Sequence, residues 1–142
     1  MAGGPATLGS GKRSLYPIRD ARIDPGITRR AAMRAVVYDR YSQELDGLEV
    51  REVAEPKLFA GSVLIEVRAA SVNPVDWKIM AGYLDGMIDA RFPVIPGWDV
   101  AGVVVAVGAD TPEFRIGDEV LAYARKETVS AGTFAERVAV PA

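Results

Sequence analysis

The chain contains no cysteine and no histidine. The first absence excludes disulfides and any thiolate nucleophile. The second removes the imidazole base, and with it a Ser-His pair. Structural zinc needs Cys or His ligands, so it is excluded as well. Catalytic zinc would have to rest on carboxylates alone, which suit it poorly. A hard ion such as magnesium can bind carboxylates, but no clustered-acid motif asks for one. Long apolar runs are also missing. The longest, Val103–Val107 with its small neighbours, falls far short of the roughly 20 residues that span a bilayer. No membrane segment is expected.

What is present fits a folded, soluble protein. Hydrophobic residues make up 49% and charged residues 25%, which separates the chain from disordered sequences. At 142 residues, one domain with its own core is the natural expectation. The net charge of −2 is unevenly spread. Residues 1–32 carry six basic and two acidic side chains, whereas residues 33–142 carry eleven basic and seventeen acidic ones. The acidic part gives no electrostatic support to nucleic-acid binding.

Residues 1–32 read as a flexible basic N-terminal extension. The opening, through Gly11, is small, Gly-rich and without apolar periodicity, as a linker is. From Lys12 to Arg30 the chain is basic with scattered apolar residues, but it lacks the apolar run of a secretory signal. An Arg-rich organellar targeting peptide stays open, with Asp20 and Asp24 counting against it; so does a reading frame extended ahead of a start at Met33. The protein is expected in the cytoplasm.

From Met33 the texture changes. Met33–Tyr38 reads as a strand, and Leu48–Val53 alternates strictly, as a half-buried strand does. Val63–Val67 follows a Gly61 turn, Asp99–Val107 is β-branched and reads as buried, and Glu119–Tyr123 and Phe134–Val140 supply two more strands. Short strands with Gly and Pro punctuation indicate a barrel or sandwich. One helix stands out. Asn73 is placed as its N-cap, Pro74 at its first position, Asp76 in its first turn and Gly82 at its stop.

A phosphate loop is the first motif to test. Gly4 to Arg13 superficially resembles one, but five residues before Gly11 stands Ala6, Arg13 replaces the needed hydroxyl, and no strand precedes it. No Gly-x-Gly-x-x-Gly follows any predicted strand. Asn73 is the only asparagine. It reads either as the helix cap or as a polar group for a ligand. Asp76 reads as an acid favourable against the helix dipole. Trp77, Ile79 and Met80 read as packing. Tyr83 and Tyr123 can each donate to a substrate oxygen or serve the core. Gly102 lies inside a strand, where glycine costs stability unless backbone approaches closely or bulges. Asp99 heads that strand and needs hydrogen-bond partners, for which backbone N–H groups of the turn are the simplest.

These pieces, in order, resemble the GroES-like catalytic domain of the medium-chain dehydrogenase/reductase superfamily. The resemblance runs through Met33–Tyr38, Gly61–Asp76, Phe92–Gly108, Phe114–Val120 and Gly132–Glu136, covering about residues 33–142. The zinc alcohol dehydrogenases of the superfamily carry a Cys where this chain has Asn73 and a zinc-binding His where it has Trp98, and their four-Cys lobe is missing here. Asn73 with Asp76 instead resembles the zinc-free quinone oxidoreductase and enoyl-reductase branches.

That resemblance implies a mainly β fold, a GroES-like partly open β-barrel with short helices. It implies hydride transfer from NADPH (or NADH) to a quinone or an α,β-unsaturated carbonyl, with no zinc. Asn73 and Tyr83 are then the candidate catalytic residues, and Asn73, Pro74 and Asp76 border the cofactor. The nicotinamide carries the chemistry, and the Asn73 amide is expected to donate to the acceptor oxygen. In the family a Rossmann domain follows and holds most of the cofactor. This chain reads as truncated before it, so a nucleotide-binding domain in cis or trans is an expected partner and self-association is plausible. No nucleic acid or membrane partner is expected. The alternative is a non-catalytic β-barrel acting as an interaction or oligomerisation module.

Overall fold

The computed structural model describes residues 15–18 and 32–142. The linker expectation for the opening residues lies outside the described part. Among the described residues the chain is mainly β, with nine strands and one short helix. No helix among the described residues is long and apolar enough to cross a membrane.

The organising unit is a five-stranded antiparallel sheet. It is built from β1 (Leu15–Ile18), β4 (Ser62–Ala69), β6 (Asp99–Val107), β7 (Glu119–Tyr123) and β9 (Arg137–Pro141), in the order β1-β7-β6-β4-β9. Two smaller sheets flank it. β2 (Ala32–Val37) pairs antiparallel with β3 (Glu49–Ala54), and β5 (Asp89–Ile95) pairs parallel with β8 (Thr128–Ala131). The sheets stay open and do not close into a barrel.

Side chains alternate between sheet faces, and that alternation builds the core. Val63 and Ile65 of β4, Val100 and Val104 of β6, Val120 of β7 and Val138 and Val140 of β9 form one buried cluster. β6 is buried on alternate residues only, from Val100 through Ala106. The uniformly buried strand expected there is instead two-faced, and its outer face is partly open.

Glycine at 102 is required by that packing. A Cβ there would stand 2.1 Å from the Glu66 carbonyl oxygen and 2.6 Å from Ile65 Cγ2. Beside it the β4–β6 register shifts between Val67 and Ala69. Close approach and a bulge, the two reasons for glycine inside a strand, both apply.

The helix α1 (Pro74–Met80) forms where the sequence places it, with Asn73 as its N-cap. Gly82 adopts φ +80° just past the Ala81 cap, so the chain leaves the helix through the left-handed region that glycine tolerates. Ile79 and Met80 bury against Tyr38, Val94, Trp98 and Val129. This packing fixes the helix N-terminus beside the Gly97 turn and the start of β6.

Several expectations need correction. Leu48–Val53 forms the strand β3, but Val50 is 67% exposed, because β3 pairs with β2 alone. In Phe134–Val140, only the part from Arg137 joins the main sheet. Phe134–Glu136 bonds to β2, through the Val36 N–H to Phe134 and the Glu136 N–H to Arg34, and the Glu136 carbonyl also accepts the Val67 N–H of β4. The sequence predicts no strand at Leu15–Ile18, Asp89–Ile95 or Thr128–Ala131. Pro93 argues against β5, and it falls in the gap between Ala90 and Ile95 where β5 and β8 do not pair.

Candidate functional site

The site lies where α1, the end of β4 and the start of β6 meet. Ser71 and Asn73 are two residues apart in the extended segment after β4, so both can reach the same side. Asp99 opens β6 opposite them. The Ser71 hydroxyl donates to Asp99 Oδ2 at 2.7 Å. The Asn73 amide donates to the same oxygen at 2.7 Å and to Ser71 Oγ at 3.1 Å. Asp99 is thus satisfied by two side chains and not by turn backbone, as the sequence alone suggested.

The turn backbone belongs to Asp76. Its carboxylate accepts the Asn73 N–H at 2.7 Å and also the Gly97 N–H. Asp76 is 7% exposed. Burial pushes its carboxyl above the usual aspartate range; the Asp99 charge adds to this, and the two backbone N–H groups oppose it. Asp76 therefore ties the helix start to the Gly97 turn and holds Asn73 and Asp99 at fixed separation.

Beside the network opens an apolar cleft of about 440 Å³, walled by Ala69, Ala101, Leu121 and Tyr123, with Ser71 and Asp99 at one end. Tyr123 is 52% exposed, and its ring meets Trp98 edge-on at 6.0 Å. Arg125 stacks over the other ring of that pair, 5.4 Å from the Trp98 centroid. Trp98 itself is buried.

Tyr83 is placed elsewhere. It lies beyond α1, exposed, with its ring edge-on to Trp77 at 5.9 Å, and it does not line the cleft. Pro74 sits at the first helical position and is exposed. The structure thus brings Asn73 and Asp76 together with Asp99 and leaves Tyr83 on a neighbouring rim. Ser71 is the residue that sequence reasoning missed. The available clue was its spacing of two from Asn73 on an extended segment.

Neither zinc nor a pyrophosphate suits these residues. The Asn73 nitrogen is taken up by Ser71 and Asp99, and Trp98 fills space in the core. Among the described residues no three His, Cys, Asp or Glu side chains gather as a metal site. Asp99 at the cleft end would repel phosphate.

An open-sheeted, mainly β domain with a polar cluster at the head of a glycine-bent strand, facing an apolar cleft, is the class that fold and site define. Residues 60–142 match the family model of the alcohol dehydrogenase GroES-like domain, and the chain belongs to that family. It is 42% identical over 90 residues to a chloroplastic quinone-oxidoreductase homolog of Spinacia oleracea, covering 63% of this chain and 27% of that protein. It is 38% identical over 113 residues to a chloroplastic NADPH-dependent alkenal/one oxidoreductase of Arabidopsis thaliana, covering 76% and 29%. A thermostable alcohol dehydrogenase from Pyrobaculum aerophilum superposes with a TM-score of 0.69 at 30% identity, covering 78% of this chain and 39% of that one. The chain spans less than a third of the length of the two curated relatives.

The expectation of a cytoplasmic protein is overturned by these relatives, which are chloroplast proteins. It rested on the missing secretory run and on Asp20 and Asp24 as counting against an organellar targeting peptide. Lack of such a run does not discriminate between the cytoplasm and an organelle whose targeting segments are basic and amphipathic.

Proposed function

We propose that this domain forms the substrate side of a zinc-independent, NAD(P)H-dependent oxidoreductase that passes hydride to a quinone or an α,β-unsaturated carbonyl. The observation that carries the reading is the Ser71–Asn73–Asp99 network at the end of an apolar cleft, in a chain without a Cys or His to hold a catalytic metal. The names of the relatives, a quinone-oxidoreductase homolog and an alkenal/one oxidoreductase, support the same substrate class. Their compartments support an organellar location.

The reduced nicotinamide supplies the hydride when bound. The chain's own residues orient and shield. Ala69, Ala101 and Leu121 offer an apolar wall against which the reacting ring can lie. Tyr123 holds a hydroxyl at the cleft wall, placed to donate to an acceptor oxygen as charge develops there. Asn73 borders the nicotinamide with Pro74, and Asp76 positions Asn73 through its backbone N–H. Tyr83 and Trp77 form an aromatic rim beside this site. The bulk of the cofactor rests on a nucleotide-binding domain of the full enzyme.

The test is a graft. Residues 32–142 replace the matching segment of the spinach relative, and NADPH-dependent quinone reduction is followed by loss of nicotinamide fluorescence. Turnover is expected. Tyr123→Phe in the graft should lower kcat by about tenfold to a hundredfold, the contribution of one oxyanion donor at a part-exposed site. A folded graft that binds NADPH and reduces no quinone or enone would overturn the reading.

A further inference from the structure

A chain with no cysteine and no histidine leaves its lysine amines as the side chains best able to add to an electrophilic carbon. The lysines are Lys12, Lys57, Lys78 and Lys126. Lys57 and Lys78 are exposed, and the Lys78 amine lies over the Trp77 ring, 5.7 Å from its centroid. Lys126 is different. It stands in the segment between β7 and β8, where the chain folds back over Trp98. There the Ala124 N–H donates to the Trp98 carbonyl, and Val129 joins the buried cluster around Trp98. This return half-buries the Lys126 side chain, and its Nζ donates to the Ala131 carbonyl at 2.8 Å. The recess beside it, of about 10 Å³, is walled by Trp98, Ala124, Thr128, Ser130 and Gly132. None of these is charged, and Lys126 makes no ion pair among the described residues. Its sequence neighbours Arg125 and Glu127 are both exposed. An ammonium so placed exchanges water for a single carbonyl, and this burial pushes the Lys126 amine below the ordinary lysine range.

We propose that Lys126 is a covalent modification site for small α,β-unsaturated carbonyl compounds, which its half-buried amine captures by conjugate addition. The Nζ lone pair forms a bond to the β-carbon, and the π pair of the carbon–carbon double bond moves through to the carbonyl oxygen. The resulting enolate takes, at its α-carbon, the proton that the new ammonium releases. Nothing leaves and no outside oxidant or reductant is needed. The product is a secondary amine bearing a saturated carbonyl. Only the neutral amine carries the lone pair, and a recess without charged walls favours that form. The bond to Ala131 uses one N–H and holds Nζ in place. The Thr128 and Ser130 hydroxyls line the same recess and can donate to the oxygen as charge moves onto it. The recess has room for about one water-sized group, so only a short carbon chain can follow the amine in. The electrophile belongs to the class proposed above as substrate, but the reactivity of the amine rests on the fold.

The exposed lysines provide an internal reference. The full chain is treated with methyl vinyl ketone at neutral pH, without cofactor, and alkylation at each lysine is followed by peptide mass mapping. Lys126 is expected to be alkylated several-fold faster than Lys57 and Lys78. In urea, where the recess is lost, the three rates should converge. Ser130→Asp puts a carboxylate in the recess and holds the amine protonated, so it should bring Lys126 back to the rate of the exposed lysines. Circular dichroism establishes that this variant is folded; if it is not, the comparison in urea decides. Lys126→Arg should remove the fast adduct and leave the slow ones.

Alkylation of Lys126 no faster than that of Lys57 and Lys78 in the folded chain would overturn the proposal. A preference that persisted in urea would do the same, since it would belong to the local sequence and not to the recess. So would a folded Ser130→Asp chain that kept the preference. Turnover does not enter these measurements. Their failure therefore leaves the hydride-transfer reading to the graft, and failure of the graft leaves Lys126 as it stands.

Discussion

Gly102→Ala is expected to lower the melting temperature by about 10 °C, corresponding to about 3 kcal/mol for a domain of this size. The added methyl would stand 2.1 Å from the Glu66 carbonyl oxygen, closer than any real Cβ contact. That atom is backbone of the neighbouring strand β4, so no rotamer change can relieve the clash. Either β6 separates from β4, breaking ladder bonds in the middle of the main sheet, or the bulge at the Val67–Ala69 step is redrawn. Gly102→Val adds two further carbons to the same space and should prevent folding. Gly61→Ala is the control. Gly61 has φ +71° with nothing within 4 Å of a built Cβ, so only the left-handed backbone conformation opposes the change. That costs about 1 to 2 kcal/mol. Thermal denaturation followed by circular dichroism ranks the variants. Equal midpoints for Gly61→Ala and Gly102→Ala would show that the close approach of β4 and β6 does not hold in solution.

Gly102 also shows what could be read without coordinates. A glycine inside a β-branched run demands a close neighbour, and the sequence says so; it does not say that the neighbour is Glu66. The helix was equally legible, because Asn73, Pro74, Asp76 and Gly82 each satisfy a local rule about a helix end. The strands β4, β6 and β7 were legible from local patterns. β5 and β8 were not, because their partners (each other and, for β5, Tyr38) lie across a long stretch of chain, and Pro93 locally opposes the first. In the site, Asn73 was visible as the lone asparagine, but its partners were not. Asp76 sits in the first helical turn as expected, but it also takes the turn backbone foreseen for Asp99, and Asp99 takes side chains instead. Which of two acids meets the Gly97 N–H depends on how α1 docks on Trp98 and Val94, a packing result beyond local pattern. Tyr83 and Tyr123 were indistinguishable in sequence for the same reason, and only Tyr123 lines the cleft.

The backbone bonds held by Asp76 set up the second large effect. Asp76→Ala is expected to destabilise the domain by about 2 to 3 kcal/mol, through loss of charge-assisted bonds from the Asn73 and Gly97 N–H groups. The loss is less than the sum of two such bonds, because burial already penalises the ionised carboxylate. Asp76→Asn should cost about 1 kcal/mol, since an amide oxygen still accepts but carries no charge. The two variants also separate in their pH dependence. The Asp76 carboxyl is raised in the fold, chiefly by burial and then by the Asp99 charge. The folded state therefore holds the proton more tightly than the unfolded state. This contribution to stability is most favourable below the ordinary aspartate range. It is lost as pH rises from that range through the raised folded value, and it is constant above. Asp76→Asn has no such term. The stability of the wild type relative to Asp76→Asn should thus be flat near about pH 7 and grow in favour of the wild type toward about pH 4. Urea unfolding of both proteins across that range measures it. A difference that stayed constant, or moved the other way, would mean that Asp76 is more solvated than its 7% exposure implies and is not the buried tie between α1 and the Gly97 turn.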